Sequence, residues 1–153
     1  MLYQKFKEAR CFYSLAVHVC FCLCCRANSI LDIKFEIHNF NEQFVKVEFP
    51  TKTVRHTILV GKKLEKRLRQ LITAGEQLRY SRLLTFTKKT FAGRTTHQIR
   101  KSGISFLRSG GQFSLDECRL YGNWSVHALD TCSDFYLRSN TLSRIADFWE
   151  SVL

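Results

Sequence analysis

"ILDIKFEIHNFNEQFVKVEFPTKTVRHTILV", residues 30–60, decides the architecture of this chain. Ile33, Phe35 and Ile37 alternate with charged residues, and Val45, Val47 and Phe49 do so again. This period of two belongs to strands with one buried and one solvated face. The polar "HNFNEQ" between the two runs is a hairpin connection, and Pro50 closes the second run. "HTILV" supplies a third strand, so a small antiparallel sheet of three strands is expected.

The pattern outside this segment is helical. A first helix is expected from about Gln4 to Cys25. After Lys62, Leu64, Leu68, Leu71 and Ile72 form one apolar stripe, with Lys63, Lys66, Arg67 and Arg69 outside it. "SRLLTFTKKTFAGRT" (81–95) reads as a loop with a short apolar patch. Thr95 or Thr96 then caps a helix that Gly110-Gly111 ends. "SLDE" (114–117) is a capping box for a short helix stopping at Gly122, and Ser125 caps another that runs into "DFYLR". Leu142, Ile145, Phe148 or Trp149, and Val152 make an amphipathic tail helix. The fold class is therefore α+β, mainly α: one domain over residues 1–153, helical, with a small three-stranded antiparallel sheet.

The chain carries 24 Lys+Arg against 13 Asp+Glu, a formal net charge of +11, spread between apolar positions rather than in a tail. Such a surface favours a polyanion, either nucleic acid or an anionic membrane. Seven cysteines include the run "VCFCLCC" but no zinc-type double pair, and their number is odd. Buried free thiols in a reducing compartment are expected. The apolar run "CFYSLAVHVCFCLCC" (11–25) falls short of the roughly 20 residues a membrane span needs. His18 interrupts it and no A-x-A-like cleavage site follows, so it reads as a buried helix rather than a signal peptide. A secreted or membrane-associated cysteine-rich protein is the weaker alternative.

"TTHQIRKSGISFLRSGG" (95–111) puts His97 and Arg100 three apart on a helix, where side chains are neighbours. An imidazole beside a guanidinium suits an anionic substrate, phosphate above all. Taken singly, such a charged face is most often only a solvated one. Other residues stand at junctions: Arg26 after the apolar helix, Lys52 in the turn between the second and third strands, Trp124 in "GNWS", and Tyr136 in "FYLR". Singly, Arg26 reads as a helix C-terminal charge, Lys52 as turn decoration, and Trp124 and Tyr136 as packed aromatics.

As an ordered set these residues resemble the catalytic domain of the tyrosine recombinases, the phage-integrase family. "CCRANSILDIKFEI" is similar to the stretch carrying the family's first arginine, "TKTVRHTILV" to its β-turn lysine, and "HQIR" to its HxxR box. "GNWS" and "FYLR" are similar to its next box and its nucleophile segment. The departures are Ser29 in place of an acidic residue, a slightly longer gap from Trp124 to Tyr136, and only about 25 residues before Arg26. A catalytic domain without its N-terminal DNA-clamping domain, cut down from a mobile element, is expected.

The resemblance implies site-specific DNA strand cleavage and rejoining through a 3′-phosphotyrosine. In it Arg26 and Arg100 hold the phosphate, Lys52 protonates the leaving oxygen, and His97 assists proton transfer or phosphate binding. Trp124 packs and hydrogen-bonds, and Tyr136 attacks. This division of labour is chemically coherent, because negative charge builds on the phosphate oxygens in the transition state. It needs no cofactor and no metal. The implied partner is double-stranded DNA, with self-assembly on it for which Leu142–Val152 is the candidate surface, and no membrane. The implied location is intracellular with DNA, in nucleus or nucleoid. The alternative is a catalytically silent DNA-binding remnant.

Overall fold

The computed structural model describes residues 12–31, 34–50, 55–73, 79–122 and 135–153. The described elements are α1 (Phe12–Leu23), a 3-10 turn (Ala27–Ser29), β1 (Glu36–Asn39), β2 (Val45–Pro50), β3 (Arg55–Val60), α2 (Lys62–Thr73), α3 (Tyr80–Thr90), α4 (Thr96–Ser109), α5 (Leu115–Gly122) and α6 (Phe135–Val152). The sheet is antiparallel in the order β1-β2-β3, as the alternation predicts. Ile37 lies opposite Val47, Val47 opposite Ile58, and Phe49 opposite His56. These registers collect Val47, Phe49, His56, Ile58 and Val60 on the buried face. On the solvated side the like charges Glu36 and Glu48 are direct neighbours, which alone would be unfavourable. His38 stands 3.1 Å from Glu36, and the Arg55 charge, 3.5 Å from Glu48, offsets the pairing. In the β1–β2 turn Asn41 Oδ1 accepts from the backbone N–H groups of Gln43 and Phe44.

Helix α1 is apolar around its whole circumference, the pattern of a central helix. Ala16, Val17, Val19, Cys20, Phe21, Cys22 and Leu23 are all buried. Its C-terminus is a Schellman motif: Cys25 N–H donates to Cys20 O and Cys24 N–H to Phe21 O, both at 3.3 Å. Cys24 takes the left-handed conformation, φ 50°, that this cap usually assigns to glycine. Among the described residues Cys20, Cys22, Cys24, Cys25 and Cys118 are free and buried, as expected. Burial raises the thiol pKa of Cys22 and Cys24, and that of Cys118 to about 11.

Helix α4 packs on α1 at close range through Gly103. A Cβ there would overlap the Phe21 carbonyl oxygen and stand 2.9 Å from Cys24 Sγ. Thr95 and Gln98 form the capping box that starts α4, and Gly111, φ 69°, follows its end. Ser114 and Glu117 form a second box at α5.

Four expectations change. Residues 81–95 are mostly helix α3, because Leu83, Thr87 and Phe91 recur every fourth residue on a buried face. The threonines and lysines between them hide the stripe, although Thr87 Oγ folds back on the Leu83 carbonyl at 2.7 Å. Ile72, expected in the α2 stripe, is 43% exposed. The tail helix has no vacant apolar stripe to offer a partner. Leu142, Ile145 and Trp149 are buried, with Trp149 stacked on Phe106 and edge-on to Phe21. The tail and "FYLR" also form one helix, α6, rather than two. Glu150 near its end accepts from Lys63 N–H at 3.0 Å, capping the start of α2. The N-terminal part of the first helix, Ile33, and the helix start expected at Ser125 lie outside the described residues.

Candidate active site

Helix α4 presents His97 and Arg100 differently from the side-by-side arrangement expected of them. His97, on the first turn, is exposed, whereas Arg100 is 4% exposed and turned into the core. Position 100 shares the buried face with Thr96, Gly103 and Leu107, so a guanidinium occupies a core-facing site. Two backbone acceptors receive it. Arg100 Nε donates to Cys24 O at 2.9 Å and Nη2 to Gly122 O at 2.6 Å. The left-handed turn at Cys24 and the end of α5 thus supply carbonyls that hold the guanidinium plane. Such bonds to a charged donor are among the stronger ones.

Arg26 stands two residues beyond Cys24, extended (φ −73°, ψ 147°) at the entry to the 3-10 turn, and is exposed. Burial, then the Arg26 charge, lowers the Arg100 pKa to about 10, which leaves Arg100 a cation at neutral pH. The His97 pKa is lowered by partial burial and by the charges of Lys101, Arg100 and Arg26. The three described members of the expected set therefore share one electrostatic neighbourhood. Ser29, where the family resemblance implies an acid, donates instead to Pro50 O at 3.2 Å. This bond ties the turn after Arg26 to the end of β2. Lys52 and Trp124 lie outside the described residues, as does the side chain of Tyr136, whose backbone is in the first turn of α6.

The sequence reading passed over two residues that organise this site. His56, on the buried face of β3, donates from Nε2 to Tyr121 O at 2.8 Å. Burial is the largest influence on it and, with the Arg138 and Arg100 charges, brings its pKa to about 4 despite that bond, so the ring is neutral. Tyr121 donates its hydroxyl to Cys22 O at 2.6 Å. The sheet, α1, α4 and α5 are thereby cross-linked around Arg100. The signal was present: His56 alternates with Ile58 and Val60, which places it on the core side.

Among the described residues one group could hold a metal, Glu36, His38 and Glu48, with ligand atoms within 4.8 Å of one another. It lies on the solvated side of the sheet, and Arg55 already supplies positive charge there, 3.7 Å from Glu36. No described helix is long and apolar enough to cross a membrane.

The described fold superposes on a crystal structure of the XerH site-specific recombinase bound to difH substrate, a pre-cleavage complex. The TM-score is 0.54 at 11% identity, over 84% of this chain and 49% of that one. The fold is that of a tyrosine recombinase catalytic domain. A post-cleavage complex of XerH with palindromic difH substrate matches with TM-score 0.50 and 12% identity, over 96% of this chain and 50% of that one. This chain thus spans about half the length of those proteins. No family model matches the sequence, and no curated protein does.

Proposed function

We propose that the chain cleaves and rejoins double-stranded DNA through a covalent 3′-phosphotyrosine at Tyr136. The observation that carries this reading is the fixed charge of Arg100, pinned by Cys24 O and Gly122 O beside exposed Arg26 and His97. That cluster stands in a fold shared with site-specific recombinases.

In this reading Arg26 offers its planar fork to the non-bridging oxygens, which a lysine could not match bidentately. Arg100 acts from below, and its charge is felt strongly because the surroundings are poor in water. The phenol oxygen of Tyr136 bonds to phosphorus while the bond from phosphorus to the 5′-oxygen breaks. His97, kept neutral by its lowered pKa, accepts the phenol proton, and Lys52 delivers a proton to the leaving oxygen. Rejoining reverses these transfers. DNA-dependent self-assembly, if it accompanies the reaction, uses surface other than the tail stripe, which is packed on its own domain. Ser29, bonded to Pro50 rather than supporting Arg26 with a carboxylate, favours the second reading, a DNA-binding remnant without turnover.

A nicked suicide duplex, incubated with the chain in chelator, separates the two readings. A covalent adduct mapping to Tyr136 and abolished by Tyr136→Phe is expected, with DNA binding nearly unchanged. Binding without any adduct establishes the remnant, and an adduct on another tyrosine overturns the assignment.

A further inference from the structure

The outer side of α4, next to His97, carries a feature the catalytic set does not use. Arg94, Gln98, Lys101, Ser102 and Ser105 line an open depression of about 340 Å³. Among the described residues no carboxylate lines it, which sets it apart from two other surface depressions. Glu65 lines the one on α2 and pairs with Arg69 at 2.7 Å, and Asp147 lines the one on α6. The surrounding sequence has the same bias. From Gln77 to Leu115 there is no Asp or Glu, while Arg79, Arg82, Lys88, Lys89, Arg94, Arg100, Lys101 and Arg108 all fall there.

The polar groups of the depression are arranged to leave its charge outward. Ser102 Oγ accepts from Arg94 Nη1 at 3.3 Å and donates to the Gln98 carbonyl at 2.8 Å. Gln98 uses its side-chain oxygen for the Thr95 cap, so its amide NH2 is not consumed by that bond. Lys101 follows His97 by one helical turn, about 6 Å along the axis. The charge of Lys101 reaches the His97 ring. A strand whose reacting phosphate sits at Arg26 and His97 can therefore lay a neighbouring phosphate in this depression.

We propose that Arg94 and Lys101, with Gln98, Ser102 and Ser105, form a second phosphate subsite. It grips the DNA backbone next to the phosphate being cleaved, without reading sequence. This rests on the recombinase reading but is tested apart from catalysis. Both cations are exposed, so the Arg94→Gln/Lys101→Gln chain should fold, and a melting curve matching the wild type checks this.

The experiment measures anisotropy of a labelled duplex with the full chain over a salt series. Each phosphate neutralised adds about −0.9 to the slope of log affinity against log salt. Arg94→Gln/Lys101→Gln should make the slope shallower by about that amount and weaken binding several-fold. Lys46→Gln/Lys63→Gln, which removes the same charge on the sheet and α2, should change the slope less. An unchanged slope, or an equal change in that control, overturns the subsite. If the wild-type chain forms the Tyr136 adduct while the slopes coincide, the subsite is wrong and the recombinase reading survives. If the slope falls but no adduct forms, the subsite stands and the catalytic reading is the one lost. A wild-type chain that does not bind duplex DNA overturns both.

Discussion

Gly103→Ala is the substitution that most directly tests how Arg100 is held. In an open helix the change would stabilise by about 1 kcal/mol, because alanine is the better helix former. Here the new methyl group meets main chain, the Phe21 carbonyl, which cannot swing aside like a flexible side chain. Helices α1 and α4 must part, and overpacking of this kind costs about 1–3 kcal/mol. Parting them also pulls Arg100 Nε from Cys24 O, now 2.9 Å away, and a lost bond to a charged donor costs about 1.5–3 kcal/mol. The net expectation is a loss of about 3 kcal/mol. For a domain of this length that lowers Tm by about 6–12 °C, measured by circular dichroism or calorimetry. A variant melting at or above the wild-type temperature would refute both the close approach and its role in placing Arg100.

Acid should destabilise the fold before its carboxylates titrate. His18 and His56 are buried, and burial first, then nearby arginine charge, lowers each pKa from 6.5 to about 4. The unfolded chain therefore takes up protons first, so the stabilisation is intact above pH 6.5 and is lost as pH falls toward 4. The loss is on the order of 3 kcal/mol per imidazole, and urea midpoints that stay flat from pH 7 to 4.5 would contradict it. Trp149→Ala should cost about 3–5 kcal/mol, because the ring packs on Phe21, Phe106 and Phe148 in the chain's own core. A urea melt showing under 1 kcal/mol would mean that the tail helix is not docked as described.

The sheet was legible because alternation at Val45, Val47 and Phe49 leaves one reading of the period. The α4 and α5 starts were legible because their capping boxes are local chemistry, Thr95 with Gln98 and Ser114 with Glu117. Helix α3 was not, since its buried stripe runs through a threonine and is diluted by Thr85, Lys88 and Lys89. At the candidate site the spacing of His97 and Arg100 was readable but not which of them faces inward. That depends on Gly103 admitting α1 and on the carbonyls of Cys24 and Gly122, which come from distant parts of the chain. For His56 the alternation gave the inward face but not the partner, because its bond and that of Tyr121 span 65 and 99 residues.

The thiols of α1 make the protein its own stopwatch. Cys20, Cys22, Cys24 and Cys25 are at most 3% exposed, and Cys118 on α5 is equally shielded. A thiol reacts as thiolate; burial excludes reagent from all five and holds the proton on Cys20, Cys22, Cys24 and Cys118, so labelling waits for local opening. A small electrophile added to the native chain therefore records, thiol by thiol, how often α1 and α5 leave the core. Because Cys24 also supplies the carbonyl under Arg100, its labelling rate times how often that carbonyl lets the guanidinium go.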